Sequence, residues 1–408
     1  MNILLNIGPI FRALQRQRFS AVLVVVQIAI TMAIITNGIA ISWDRFLHIE
    51  RSSGIDEQNT FFMTSSGFTQ DFNPRASIER DLALIRSTQG VIDAVQANSF
   101  PLSDSGNWYE IQTSPKNDAQ LVPAASYKFD EHGINTFGLK LVAGDNFNQQ
   151  DTLWLNEADS QWPSHVLLSK ATAMALFGDN QWQIAVGKTI YVNQNTPIIV
   201  KGIVEKLHAP WVDWPHVEQT IISPARVTHN SARYVIRTQP GRLNEIKQTL
   251  SATLAKENTQ RVIRKVKSIQ QAKDEIYAAD IATVSILLIV IVVLAFVTAM
   301  GVAGLASFNI DKRRQQIGIR RALGASKRQI LQHFMLENAL LCTMGALLGT
   351  LLTLALNIFL VNAYALTPLP LYYLPLGVII LLVISQLAVI KPACRAMSIS
   401  PAMATRSI

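Results

Sequence analysis

The chain has 408 residues, a formal net charge of +8 and only 16% charged residues, against roughly 25% in an ordinary soluble domain. That shortfall points to a membrane protein, and the length allows two or three domains at about 100 to 200 residues each. With only Cys342 and Cys394, one in an apolar run and one in the tail, the chain folds without a disulfide framework.

Four stretches contain no Asp, Glu, Lys, Arg or His: Phe19 to Trp43, Ile281 to Phe308, Ala339 to Val361 and Leu371 to Ile390. Each has about 20 residues or more, enough as a helix to span a hydrocarbon core of ~30 Å. Arg12, Arg16 and Arg18 precede the first run. It exceeds the roughly 7 to 15 apolar residues of a signal-peptide core, and Ile39 to Asp44 makes a poor cleavage site, so it reads as a retained anchor.

The pattern predicts an α-helical membrane protein with four transmembrane helices and a large α+β extracytoplasmic domain inserted between the first two. In chain order these are a cytoplasmic segment (1–18), TM1 (19–43), the external domain (44–280), TM2 (281–308), a cytoplasmic loop (309–334), TM3 (335–361), a short external loop (362–370), TM4 (371–390) and a cytoplasmic tail (391–408).

Within the external domain, Ile78, Leu82 and Ile85 fall on one face of a helix over Ala76 to Thr88. Strand-like runs follow at Tyr109 to Thr113 and Ala124 to Phe129. A short helix starts at Ser169 and stops at Gly178. "KTIYVNQNTPIIVKGIVEKL" reads as a β-hairpin turning at Asn193 to Thr196. "RYVIRT", "GRLNEIKQTLSATLAKE" and "RVIRKVKSI" then give strand, helix and strand. The domain divides into an α+β core, about 44–114 and 229–280, and an inserted lobe, about 115–228. From Ile269 to Met300 there is no Pro or Gly, so a single helix of about 48 Å is expected to run from the domain into the bilayer.

Orientation follows the distribution of basic residues. The N-terminal segment, the stretch between the second and third apolar runs (309–338) and the tail together carry thirteen Lys and Arg against Asp311 and Glu337, a net +11, which leaves −3 for Asp44 to Asp280. Both termini are therefore expected in the cytoplasm. Topology accounts for the basic pI, and no nucleic-acid partner is implied.

Several chemical readings fail on context. "VGKT" (Val186 to Thr189) lacks the leading Gly of a P-loop, having Trp182 there, and is followed by strand-like residues. His208, Asp213, His216 and Glu218 match no familiar zinc spacing. Trp211 and Trp214 beside them suggest buried packing, with an apolar docking surface as the alternative. The polar residues in the apolar runs are Gln27, Asn37, Asn357 and Gln386, which suit helix-packing hydrogen bonds better than the charged relay of a pump. The sequence assigns no catalytic residue, metal ligand or cofactor.

The remaining feature is "RRQQIGIRRALGASKRQI", Arg313 to Ile330, a basic run between two apolar ones. Ile317, Ile319, Leu323 and Ile330 interleave with its charges, and "GIRRALGAS" fits a short helix ending near Gly324. Such a helix can lay Ile319 and Leu323 in a groove on a cytoplasmic protein while its arginines meet acids there. The run resembles the signature loop of the MacB/FtsX-like permeases, the membrane subunits of mechanotransmitting (type VII) ABC systems. The likeness extends to "VGKTIYVNQNTPIIVKGIVE", to "KPACRAMSISPAMATRS" and to the order of one helix, a large domain and three helices. Gln315, often Glu in the family, and Cys394 and Ala404 depart from the pattern.

The resemblance implies that Ile317, Gly318, Ile319, Arg320, Arg321, Ala322, Leu323, Gly324 and Ala325 form a coupling segment for an ABC ATPase, and that the external domain has a porter-like core. Only 18 residues precede TM1, so the ATPase, with its ATP and Mg, is expected on a separate chain. The implied setting is the bacterial inner membrane, and the implied assembly is a dimer with itself or a homologous permease, with a periplasmic adaptor and an outer-membrane channel as further partners. Efflux or export is the first expectation. Lipoprotein extraction, a signalling scaffold that activates a cell-wall hydrolase, and a receptor with no ATPase are the alternatives.

Overall fold

The computed structural model describes residues 18–115, 120–156, 159, 161–364 and 366–399. Arg12, Arg16, Arg406 and the end of the tail motif, residues 400–408, lie outside the described residues. Two compact units result, residues 1–50 with 279–408, and residues 51–278. Helix α1 (Arg18–Ile49) opens the first. It runs well past the apolar stretch ending at Trp43.

The 51–278 unit contains two main sheets. The first is built from β1 (Thr60–Gly67), helix α2 (Pro74–Ser87) and β2 (Val91–Gln96). Next in the chain come β3 (Asn107–Gln112), β4 (Val122–Lys128), β5 (Leu141–Gly144), β6 (Leu153–Asn156), β7 (His165–Ser169), α3 (Lys170–Phe177), β8 (Thr189–Val192), β9 (Thr196–Val204), β10 (Thr220–Ser223) and β11 (Ala225–Thr228). The chain then returns to the first sheet with β12 (Ser231–Thr238), α4 (Leu243–Glu257) and β13 (Arg261–Ser268), and closes on α5 (Ile269–Ile276).

The first sheet has the order β13-β1-β12-β2 and is antiparallel throughout. Asn73 caps α2 by accepting from the Ala76 N–H, with Pro74 in the first turn, a strong helix start. Ile78, Leu82 and Ile85 of α2 and Ile246, Leu250 and Leu254 of α4 cover Phe61, Met63, Tyr234 and Ile236. Beneath them Arg261 pairs with Asp81, both almost fully buried, and the Tyr234 hydroxyl donates to the same carboxylate at 2.7 Å.

The second sheet closes on itself. β9 pairs with β7, β7 with β10, β10 with β4, β4 with β3, β3 with β8 and β8 with β9, while β5 adds to β9. Closure leaves few strand edges to template aggregation. Because β3 pairs with both β4 and β8, this lobe takes in residues 107–112, ahead of the boundary expected near 115. The hairpin turn is made by Asn193 and Gln194, both with left-handed backbone. Ser169 caps α3 by accepting from the Thr172 N–H, and Gly178 ends it.

The expected single helix from Ile269 to Met300 is broken. Tyr277, almost fully buried, leaves helical geometry between α5 and α6 (Ala278–Lys312). The rest of the first unit is α7 (Arg314–Ala322), α8 (Lys327–Tyr364) and α9 (Tyr373–Met397). The basic loop expected at 309–334 is thus largely helical, since Lys, Arg and Gln are good helix formers. Among the described residues α1, α6, α8 and α9 are long and apolar enough to cross a membrane.

Glycines let α8 approach α1. A Cβ at Gly345 would lie 2.7 Å from Ile28 Cγ2, and one at Gly349 2.9 Å from Met32 Cβ. "GALLG" is therefore a small-xxx-small contact, which favours packing where lipid removes the hydrophobic drive. The polar residues stitch the helices: Asn37 donates to the Thr353 carbonyl at 3.2 Å, Asn357 to Asn37 Oδ1 at 3.2 Å, Gln27 to the Val297 carbonyl at 3.3 Å, Gln386 to the Met335 carbonyl at 3.3 Å and Asn338 to Ser385 Oγ at 2.8 Å.

Candidate coupling site

Helix α7 ends in a Schellman motif. Gly324 takes φ +95°, its N–H donates to the Arg321 carbonyl at 3.2 Å, and the Ala325 N–H donates to the Arg320 carbonyl at 3.0 Å. Glycine suits that left-handed position because it has no Cβ. The next helix starts at once: the Gln329 N–H donates to Ser326 Oγ at 3.2 Å, and the Ser326 N–H to Gln329 Oε1 at 2.9 Å. This is a capping box. "ALGASKRQ" therefore encodes the end of one helix and the start of another.

Three contacts fix α7 to the bundle. Ile317 is buried with Ile310, Ile330 and Phe334. Arg313, just before α7, places Nη1 at 3.1 and 3.0 Å from the two Glu337 carboxylate oxygens on α8. Arg321 Nη1 donates to the carbonyls of Met397 and Ile399, at 3.1 and 2.7 Å, at and just past the end of α9.

The nine residues expected to act as one segment separate into two sets. Ile317 and Gly318 are buried, while Arg321 and Ala325 are partly buried against the bundle. Ile319, Arg320, Ala322, Leu323 and Gly324 are exposed, with Ile319 at 49% and Leu323 at 83%. An apolar side chain so exposed beside arginines forms a small amphipathic tip. Gln315 is also exposed, and the carboxylate that serves this region is Glu337. Sequence reading missed the Arg313–Glu337 pair and the Ser326–Gln329 box. The box was visible as S-x-x-Q before an apolar run, whereas the pair joins residues 24 apart on two helices.

The other candidates resolve into structure. "VGKT" leads into strand β8, with no helix to receive a phosphate. Among the described residues no three His, Cys, Asp or Glu side chains are grouped to hold a metal ion. His208 Nε2 lies 3.5 Å from Glu218 Oε1. Burial, then the charge of Lys206, holds its imidazole down to about 4, with Glu218 opposing and Arg51 reinforcing. Trp211 and Trp214 are partly buried on Ala125, Ala209 and Val217, in edge contact with each other at 5.8 Å.

A membrane-crossing helical unit with a capped amphipathic elbow, joined in sequence to a two-sheet α+β unit, has the build of a membrane permease. Residues 288–401 match the family described as FtsX-like permease C-terminal. The chain is 26% identical over 235 residues to the macrolide export ATP-binding/permease protein MacB of Chromobacterium violaceum, covering 53% of this chain and 32% of that protein. It is 24% identical over 273 residues to MacB of Neisseria meningitidis serogroup A, covering 64% and 39%. The chain thus spans about a third of the length of the curated relatives it matches. The solved extracellular domain of the noncanonic ABC-type transporter YknZ from Gram-positive bacteria overlaps 50% of this chain and 100% of its own, at 13% identity and a TM-score of 0.31. These matches place residues 288–401 with the FtsX-like permeases and support a likeness of the chain to the MacB/FtsX-like ABC permeases.

Proposed function

We propose that this chain is the permease subunit of an inner-membrane ABC transporter, coupling ATP hydrolysis on a separate ATPase chain to movement of the 51–278 unit in the periplasm. ATP and Mg belong to the ATPase in this reading, and the permease supplies no catalytic group. Both termini face the cytoplasm, as the basic residues imply. The complex contains two permeases, as a homodimer or with a homologous partner, and exports a substrate, through an adaptor and outer-membrane channel where these are present. The name of the MacB relatives, macrolide export proteins, favours efflux over the alternatives.

The observation that carries the proposal is the exposure of Ile319 and Leu323 on an elbow that is otherwise held firmly. Exposed apolar side chains beside the exposed Arg320 suit a groove lined by apolar residues and rimmed by acids. Because Arg313, Ile317 and Arg321 fix the elbow to α8 and to the end of α9, displacement of its tip is delivered to those helices.

The test is co-purification of the ATPase with the full-length chain. Ile319→Asp and Leu323→Asp together are expected to abolish ATPase recovery while membrane insertion stays at the wild-type level. Undiminished recovery of the ATPase with the double variant would overturn the docking assignment.

A further inference from the structure

Beneath the elbow, α7 and α8 enclose a cleft of about 90 Å³ lined by Arg313, Gln316, Arg320 and His333 over a floor that includes Ile317 and Phe334. Its charges are unevenly used. Arg313 is neutralised by Glu337, whereas Arg320 has no carboxylate within ion-pair distance among the described residues. His333 is half-buried, stacks edge-on to Phe334 at 5.7 Å and has no hydrogen-bond partner among the described residues. Both Arg313 and Arg320 lie close enough to act on it electrostatically. The nearby carboxylate, Glu337, acts on Arg320 electrostatically but is hydrogen-bonded to Arg313, so the cleft presents a guanidinium and an imidazole with no ion-pair partner of their own among the described residues.

Its depth is also informative. The apolar run of α6 ends at Phe308 and that of α8 begins at Ala339, each within about six residues of the cleft, or ~9 Å along a helix. That distance matches the headgroup layer, which adds roughly 5 to 8 Å on each side of the hydrocarbon core. A cationic rim over an apolar floor at this level suits an amphiphile better than a free anion, and basic pockets between membrane helices are a recurrent way of holding anionic headgroups.

We propose that this cleft binds the phosphate of an anionic phospholipid, with Arg320 and His333 as donors and Ile317 and Phe334 against the glycerol and first methylenes. The site would fasten the elbow to the membrane surface. Its test needs no ATPase and so stands or falls separately from the docking assignment.

The full-length chain is delipidated in mild detergent, titrated with phosphatidylglycerol or with phosphatidylcholine, and read by native mass spectrometry. One phosphatidylglycerol is expected to be retained in preference to phosphatidylcholine. Arg320→Gln with His333→Gln should weaken that retention about ten-fold, the loss of roughly one charge-assisted hydrogen bond. Arg320→Lys, which keeps the charge, should restore most of it, and this variant also reports on folding. Arg328→Gln, which removes an exposed charge outside the cleft, should change nothing. An equal loss in Arg328→Gln, unchanged retention in the double variant, or displacement of the lipid by millimolar inorganic phosphate would each overturn the proposal, the last by marking a site for a soluble anion.

Discussion

The two units treat buried polarity in opposite ways. In residues 51–278 an ion pair, Asp81 with Arg261, is sealed under two helices with a tyrosine hydroxyl to help satisfy it. In the apolar spans of the helical unit the buried polar contacts are neutral: Asn37 with Asn357 and the Thr353 carbonyl, Thr31 with Thr298 and, at the edge of the Ala339 run, Asn338 with Ser385. Its charged pairs lie at the ends of those spans: Arg313 with Glu337 past Phe308, and Arg45 with Asp280 past Trp43. A unit that folds from water can desolvate two charges together and still gain from the core above them. Within hydrocarbon the same charges would cost more, and amides and hydroxyls suffice because an unfolded helix in lipid also seeks partners.

The comparison can be tested at three strengths. Arg261→Leu leaves the Asp81 carboxylate buried against Tyr234 alone, and should destabilise the 51–278 unit by about 3–5 kcal/mol. Hydrogen exchange of α2 and β13 amides in the full chain would read this as lost protection. A second replacement, Asp81→Leu, should recover much of the loss. A loss below about 1 kcal/mol would mean that the pair is not sealed as described.

The next effect depends on pH. His208 titrates near 4 when folded and near 6.5 when unfolded, so between those values the unfolded chain binds the proton that the folded chain refuses. Stability should therefore fall as pH drops from about 6.5 towards 4, by at most roughly 3 kcal/mol. Glu218, where burial raises the pKa but Lys206 and His208 together outweigh it and lower it, loses its contribution only below about 4.5, the ordinary Glu range. The slope above that belongs to the histidine, and His208→Gln should flatten it in thermal melts across the range. The smallest effect is in the bilayer: Asn338→Leu should cost about 0.6 kcal/mol in a detergent unfolding titration, the usual size of one interhelical hydrogen bond.

Much of the architecture was legible because local signals are strong. The apolar runs marked the helices, Ile78, Leu82 and Ile85 marked the buried face of α2, and Ser169 and Gly178 bracketed α3. Pairings between distant residues were not legible. Nothing local says that β3 joins β4 and β8, so the lobe boundary was read too late. The break at Tyr277 lacked a Pro or Gly to announce it, and helix ends outran the apolar runs because charge does not stop a helix. At the candidate site the motif showed where the segment lies, but not which of its residues are anchors. Ile317 and Ile319 look alike in sequence, and only the packing separates the one in the core from the one at the tip. "GALLG" is a small-xxx-small motif by sequence, but only the approach of α1 to Gly345 and Gly349 distinguishes it from the surrounding leucines.

The join between α7 and α8 has a mechanical corollary. Leu323 to Ser326 is all the chain spends on reversing between two capped helices, and the main chain on both sides of Gly324 is tied by hydrogen bonds. Such a joint has almost no slack, so a load on Leu323 meets stiffness at once rather than first stretching a tether. Inserting a few flexible residues after Gly324 would leave every contact surface chemically intact and still disconnect the tip from the helix it leans on.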